Sequence, residues 1–342
     1  MKQVKLLFSI IFSFITVVCF GQLMPLADEA VTLNTQNGAI HGKILLPPGM
    51  KSSPVVLLIA GSGPTDMDGN SAIGQMTNNS LKYLAEDLAE QGIASLRFDK
   101  RGIASSAPAG KKESDLRFED YVNDVKGWID YLGKDSRFTG ITVIGHSEGS
   151  LIGMLACRNN PKVKAFVSLA GAGRPAYEII EKQLSSQPES VRNMVASIND
   201  SLKQGKLVPN VPFGMEALFR QSVQPYMISW YKYNPQQVIK ELKIPVLIVQ
   251  GKNDIQVLVE DAELLKKAAP SATLLLIEKM NHVLKDCDTV DPQKQMAVYA
   301  NPSLPVNATL ISSLSSFIRE KKSLWEKSEN VCRCSVRPVI PL

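Results

Sequence analysis

Apolar positions along this chain change period several times, and each period predicts an element. Val31 to Leu33 and Ile40 to Leu46 alternate around Asn37-Gly38, a dipeptide that predicts a β-hairpin. After Pro47-Pro48 the run Val55-Val56-Leu57-Leu58-Ile59 is apolar without a break. A strand buried on both faces of a parallel sheet reads this way. Leu81 to Gln91 has helical spacing and Ile93 to Phe98 reads as a strand. Phe118, Tyr121, Val122, Val125, Ile129 and Leu132 recur at three and four, one face of a helix. Strands are further predicted at Ile141 to Ile144, Val163 to Leu169, Pro245 to Gln250 and Thr273 to Ile277. Helices are predicted at Ser147 to Cys157, Glu260 to Ala269 and about Thr309 to Lys321. Strands alternating with helices imply an α/β class, with a mainly parallel sheet covered by helices on both faces.

The rhythm breaks between Arg174 and Leu242, where no strand pattern occurs. Helical patterns run over Tyr177 to Leu184 and Val191 to Leu202, followed by a Pro-punctuated stretch carrying Phe213, Phe219, Tyr226, Trp230, Tyr231 and Tyr233. An insertion of this size between two strands is too long for a simple crossover. It predicts a helical cap insertion, about 174–242, over the carboxyl edge of the sheet.

Composition narrows the setting. A chain of 342 residues, 44% apolar, can bury one large core. Its 38 Lys and Arg against 33 Asp and Glu give a formal net charge of +5. Lys2 and Lys5 lie in the N-terminal segment, and Arg333 and Arg337 near the other end, so the body is close to neutral. No basic stripe interleaved with aromatics occurs, and nucleic acid is not an expected partner. Lys2 and Lys5, the apolar run from Leu6 to Phe20, and small residues at Cys19 and Gly21 read as a secretory signal over 1–21, cut before Gln22. The run is short of the roughly 20 residues that span a bilayer, so no membrane span is expected to remain. The expected location is therefore periplasmic or extracellular. Cys157, Cys287, Cys332 and Cys334 remain after cleavage, without paired CxxC motifs, and Cys332 and Cys334 stand too close for a relaxed disulfide.

Chemistry concentrates at Gly145-His146-Ser147-Glu148-Gly149, between a predicted strand and a predicted helix. This is the context that a G-x-S-x-G turn requires, with small residues beside a serine lifted to the top of the sheet. A serine hydroxyl is a weak nucleophile and needs a base. Of His41, His146 and His282, the first falls in the N-terminal hairpin and the second inside the turn. His282 follows the strand Thr273 to Ile277, at the carboxyl edge where α/β sheets place their sites. Asp254, just past the strand Pro245 to Gln250, is the expected orienting carboxylate; Glu260 and Asp261 fall within the next helix. The order Ser147, Asp254, His282 is the one expected with this elbow. Backbone N–H groups of Glu148 and Ser62 are the expected oxyanion donors, Ser62 lying in the glycine-containing loop Gly61 to Asn70.

That loop admits two other readings, and both fail. Gly61-Ser62-Gly63 lacks the third glycine of a dinucleotide fingerprint. Asp66, Asp68 and Asn70 mimic a calcium loop, but Ser71 and Thr77 occupy its glycine and glutamate positions. No metal and no cofactor are expected; the acids brace the loop through its own backbone. The charged run Arg97-Phe98-Asp99-Lys100-Arg101-Gly102 reads as an ion-paired turn shaping the pocket floor.

Taken together, these residues resemble the α/β-hydrolase superfamily over nearly the whole mature chain. The loop Gly61 to Asn70, the elbow Gly145 to Gly149 and Asn281-His282-Val283-Leu284-Lys285 resemble in particular the EstD-type bacterial carboxylesterases, a branch related to serine aminopeptidases. Met67 stands where that branch usually has arginine. The resemblance implies cofactor-free hydrolysis of small, often short-chain, acyl esters. Two alternatives remain: a peptidase using the same three residues, for which Glu178, Glu181 and Glu189 could form an amino-terminus site, and a non-catalytic binding protein of the same fold.

Overall fold

The computed structural model describes residues 26–320, Ile73 and Gln75 excepted. The signal expected over 1–21 and the tail 331–342, with Cys332 and Cys334, lie outside the described residues. The chain opens on an antiparallel hairpin, β1 (Asp28–Thr35) and β2 (Gly38–Leu45). Its turn comes one residue earlier than Asn37-Gly38 predicts, because Thr35 already pairs with Gly38. Gly38 has φ 123°, and a Cβ there would lie 3.0 Å from the Ala109 Cα. The glycine therefore serves the close approach of the short 3-10 segment Ala104–Ala109 as much as the turn.

A regular alternation follows: β3 (Ser53–Ile59), α1 (Ser80–Glu90), β4 (Ala94–Phe98), α2 (Phe118–Leu132), β5 (Phe138–His146), α3 (Glu148–Cys157) and β6 (Val163–Leu169). Between β6 and the next strand lie only helices: α4 (Ala176–Gln183), α5 (Glu189–Lys203), α6 (Glu216–Phe219), α7 (Gln224–Tyr231) and α8 (Pro235–Lys240). The sheet resumes with β7 (Val246–Gly251), α9 (Val259–Ala268) and β8 (Thr273–Ile277), then α10 (Pro292–Tyr299) and a helix α11 over 308–320. The eight strands pair in the order β1-β2-β4-β3-β5-β6-β7-β8, parallel from β4 to β8. This is the α/β-hydrolase fold.

Burial explains the sheet's composition. Val55, Leu57 and Ile59 of β3 enter the core on one face, beneath α2 and α3; Val56 and Leu58 enter the core on the other, beneath α1 and α11. Both faces are covered, so an unbroken apolar run is the stable choice. All ten residues of α3 are buried, which suits a helix with little polar periodicity. Beside α3 the strand order reverses. From β3 the chain crosses first to β4 on one side and then to β5 on the other. Loops leaving β3 and β5 therefore diverge, and the gap between them opens a crevice at the carboxyl ends of the strands.

Candidate active site

The elbow between β5 and α3 sets Ser147 at φ 55° and ψ −121°, a conformation that a residue with a Cβ rarely adopts. Packing enforces it. A Cβ on Gly145 would lie 2.1 Å from the Gly149 carbonyl oxygen, and one on Gly149 would lie 2.5 Å from that of Ile59. Only glycine lets the turn close this tightly. The Ser147 N–H donates to the Leu169 carbonyl at 3.0 Å, tying the elbow to the end of β6. Glu148 is the first residue of α3, where a helix leaves its first N–H groups without intrahelical partners.

Asp254 and His282 meet across the loops after β7 and β8. A Cβ on Gly251 would lie 2.1 Å from the Met280 carbonyl oxygen, so glycine is what lets the two loops touch. Backbone bonds then lock them, Lys252 N–H to the Ile277 carbonyl at 2.9 Å and Asn253 N–H to that of Met280 at 3.1 Å. His282 sits in a turn shaped by Asn281, whose side-chain oxygen accepts the Lys285 N–H at 3.1 Å. The result is a hydrogen bond of 2.8 Å between His282 Nδ1 and Asp254 Oδ2, both side chains buried. Oδ2 also accepts from Gln250 Nε2 at 3.1 Å, and Oδ1 accepts the N–H groups of Gln256 and Val257 at 2.8 and 3.0 Å. The carboxylate is held at both oxygens. The rival acids are engaged elsewhere. Asp261 accepts from Arg174 and from the Gly173 N–H, while Glu260 faces Lys182 at the surface.

The histidines separate as their elements dictate. His41 faces Thr32 across the N-terminal hairpin, at 3.3 Å. His146 is buried against His282, ring centroids 4.8 Å apart, and its Nε2 lies 2.8 Å from the His282 carbonyl oxygen. Desolvation, with His282 alongside, pushes the His146 pKa down to about 3. The residue adjoining Ser147 thus touches His282, which brings the elbow and the Asp254–His282 pair into one site.

Above the elbow runs the loop after β3. A Cβ on Gly61 would fall 3.2 Å from the Ser147 Cβ, so this glycine permits the approach. Ser62 follows it and is exposed. The loop is braced largely as its composition suggests. Asp66 Oδ1 accepts the N–H groups of Asp68 and Asn70 at 2.9 and 2.8 Å. Asp68 departs from the expectation: its carboxylate accepts Arg97 Nε at 2.8 Å, while its carbonyl receives N–H groups at the start of α1. Burial raises the pKa of Asp66.

Every charge in the run from Arg97 at the end of β4 to Arg101 has a partner. Arg97 bridges Asp28 and Asp68, Asp99 accepts the Met67 N–H at 2.7 Å, and Arg101 pairs with Asp124. Lys100 Nζ donates to the Gly61 carbonyl at 2.5 Å and to Glu148 Oε2 at 3.2 Å. Tyr226 of α7 donates its hydroxyl to Glu148 Oε1 at 2.6 Å. His146, Gln250, Lys100 and Tyr226 were not singled out from sequence as site residues. The signals are the charged run holding Lys100, the aromatic stretch holding Tyr226 and the place of His146 inside the elbow, where it is set aside as the base. Of the acids that could receive an amino terminus, Glu178 and Glu189 are exposed and Glu181 accepts from Asn199 Nδ2 at 2.9 Å.

Comparison with known proteins bears on the fold and the family. Esterase EstD of Thermotoga maritima is 29% identical over 262 residues, covering 73% of this chain. The chain spans 59% of the length of that relative. Among solved structures, Est1E from Butyrivibrio proteoclasticus with bound ferulic acid superposes with a TM-score of 0.59 at 19% identity, covering 86% of this chain and all of that one (100%). An esterase domain from Rhodothermus marinus gives 0.52 at 17% identity, covering 86% and 99%. An acylaminoacyl peptidase from Pyrococcus horikoshii gives 0.51 at 14%, covering 82% of this chain and 41% of that one. These structural likenesses carry the fold. Residues 75–288, more than half of the chain, match the family described as serine aminopeptidase, S33. The chain belongs to that family of α/β-hydrolases.

Proposed function

We propose that this protein is an exported serine carboxylesterase that hydrolyses short acyl esters through an acyl-enzyme. The observation that carries the reading is the buried His282–Asp254 hydrogen bond of 2.8 Å, adjoining the elbow that presents Ser147. Asp254 can only accept, so Nδ1 of His282 bears the proton and Nε2 is left as the base. Ser147 attacks the ester carbonyl as His282 takes its proton. Asp254 steadies the imidazolium, and the N–H groups of Ser62 and Glu148 receive the oxyanion. His282 then protonates the departing alcohol, and water reverses the roles to release the acid. No step calls for a metal or cofactor. Export is supported by the basic and apolar pattern of residues 1–21.

A peptidase would use the same three residues, and the family's description keeps that reading in view. Of the acids weighed for an amino-terminus site, Glu178 and Glu189 are exposed and Glu181 accepts from Asn199. Ser147→Ala should lower kcat on p-nitrophenyl acetate by roughly 10⁴ or more with an unchanged melting temperature. A fluorophosphonate should label the wild type at Ser147 and not the variant. Near wild-type turnover in the variant would falsify the assignment. Faster cleavage of aminoacyl anilides than of p-nitrophenyl esters by the wild type would replace esterase with peptidase.

A further inference from the structure

Lys100 and Glu148 form an ion pair in which both side chains are almost wholly buried, 2% and 4% exposed. Burying two charges costs several kcal/mol per ion, and apolar residues of the same size commonly serve stability as well or better. Its geometry accounts for the pair in another way. The ammonium stands 5.1 Å over the Tyr121 ring and directs two of its three donors at different walls of the candidate site. One goes to the Gly61 carbonyl at 2.5 Å. That carbonyl shares a planar peptide with the Ser62 N–H, and in a trans peptide the two groups point in opposite directions. Holding the oxygen toward Lys100 turns the Ser62 N–H away from it. The other donor goes to the side chain of Glu148, the residue whose own N–H heads α3 beside Ser147.

We propose that Lys100 is the positioning residue of the oxyanion hole: its ammonium orients the Ser62 N–H through the Gly61 carbonyl and pins the side chain of Glu148, whose N–H is the other donor, and Tyr226 ties that ammonium, through Glu148, to the helical segment between β6 and β7. Tyr226 closes the arrangement from α7, giving its hydroxyl to the second oxygen of Glu148 at 2.6 Å. Movement of α7 is thereby transmitted to the donors that receive the developing negative charge. The inference rests on the reading of Ser147 as nucleophile and of Ser62 and Glu148 as donors.

The test compares wild type, Lys100→Met, Tyr226→Phe and the double variant. The measurements are kcat and KM on p-nitrophenyl acetate, inhibition by an alkyl trifluoromethyl ketone and the melting temperature. That ketone forms a hemiketal whose oxyanion occupies the hole, whereas KM reports chiefly the neutral ester. Lys100→Met should lower kcat about 10²-fold, the order of effect of losing one oxyanion donor. The ketone should bind weaker by a similar factor, with KM little changed. Tyr226→Phe should lower kcat about 3–10-fold, the worth of one ordinary hydrogen bond. It should add almost nothing on the Lys100→Met background, because the two act through one path.

Wild-type kcat and ketone affinity in Lys100→Met overturn the inference, as does a rise in KM alone. Additive losses in the double variant overturn the tie to α7. If Lys100→Met does not fold, Tyr226→Phe decides, since it deletes one hydroxyl and keeps the ring; unchanged kcat and ketone affinity there overturn the proposal. A wild type that neither turns over the ester nor labels at Ser147 would instead bring down the parent reading. Normal turnover and labelling with an indifferent Lys100 bring down this one alone.

Discussion

His146 donates its Nε2–H to the backbone carbonyl of His282 at 2.8 Å. A carbonyl can only accept, so the bond sets the tautomer of His146 and anchors the backbone of its neighbour. Burial beside a second imidazole pushes the His146 pKa down to about 3. It therefore stays neutral through the working range and adds no charge next to the proposed base. A residue inside the elbow that has no role as a base on sequence grounds becomes the support of the proposed base.

His146 should make folding acid-sensitive. In the unfolded chain its imidazole binds a proton near pH 6.5, whereas the folded site admits one only near pH 3. The unfolded state holds more protons within that window. Stability should accordingly fall as pH drops from about 6.5 toward 3, by up to about 1.4 kcal/mol per pH unit from this group. His146→Gln retains a donor for the His282 carbonyl but cannot titrate. Urea unfolding from pH 7 to pH 4 should show a shallower loss in the variant, and equal slopes would refute the assignment.

Asp254→Asn should cost about 10⁴ in kcat. Oδ1 of Asp254 already accepts two backbone N–H groups. The asparagine oxygen must take that place, which turns its NH₂ toward His282 Nδ1 and Gln250 Nε2. The amide NH₂ then meets His282 Nδ1 as a donor, and His282 has to move its proton to Nε2, where it can no longer act as base. Substrate KM should change little. A variant within tenfold of wild-type kcat would show that Asp254 does not orient the base.

Phe219 and Trp230 should separate stability from specificity. Phe219 is fully buried, so Phe219→Ala should lower stability by about 3–5 kcal/mol. Trp230 stacks on Phe118 of α2 with centroids 5.7 Å apart and planes within 4°. Trp230→Ala loosens α7 on the side that carries Tyr226. It should shift the ratio of kcat/KM between acetyl and longer acyl esters, within the roughly 1–3 kcal/mol that a methylene is worth in an apolar pocket. An unaltered chain-length profile in a stable Trp230→Ala protein would move specificity from this segment to the loop Gly61 to Asn70.

Chelation should leave the rate unchanged. The Asp66 carboxylate is occupied by backbone N–H groups and that of Asp68 by Arg97, so the loop that mimics a calcium site spends its acids on protein donors. Loss of activity on dialysis against EDTA, restored by calcium, would reopen that loop as a metal site.

Much of this molecule was legible in the chain because the signals are local. The unbroken run Val55 to Ile59, the helical face of α2 and the glycines around Ser147 each report their surroundings within a few residues. They led to the α/β class, the helical insertion between β6 and β7, and the choice of Ser147, Asp254 and His282 as candidates. Only the tertiary structure decided which groups meet. His146 and the His282 carbonyl are 136 residues apart in sequence, Tyr226 and Glu148 are 78 apart, and Lys100 and Gly61 are 39 apart. The same holds for Gly38, whose place is explained by Ala109 pressing against it and not by the turn alone. Periodicity records which face of an element is buried but carries no information about which polar group lies opposite. That choice is made when the sheet's strand order brings distant loops to one edge, and desolvation then requires each buried donor and charge to find a partner there.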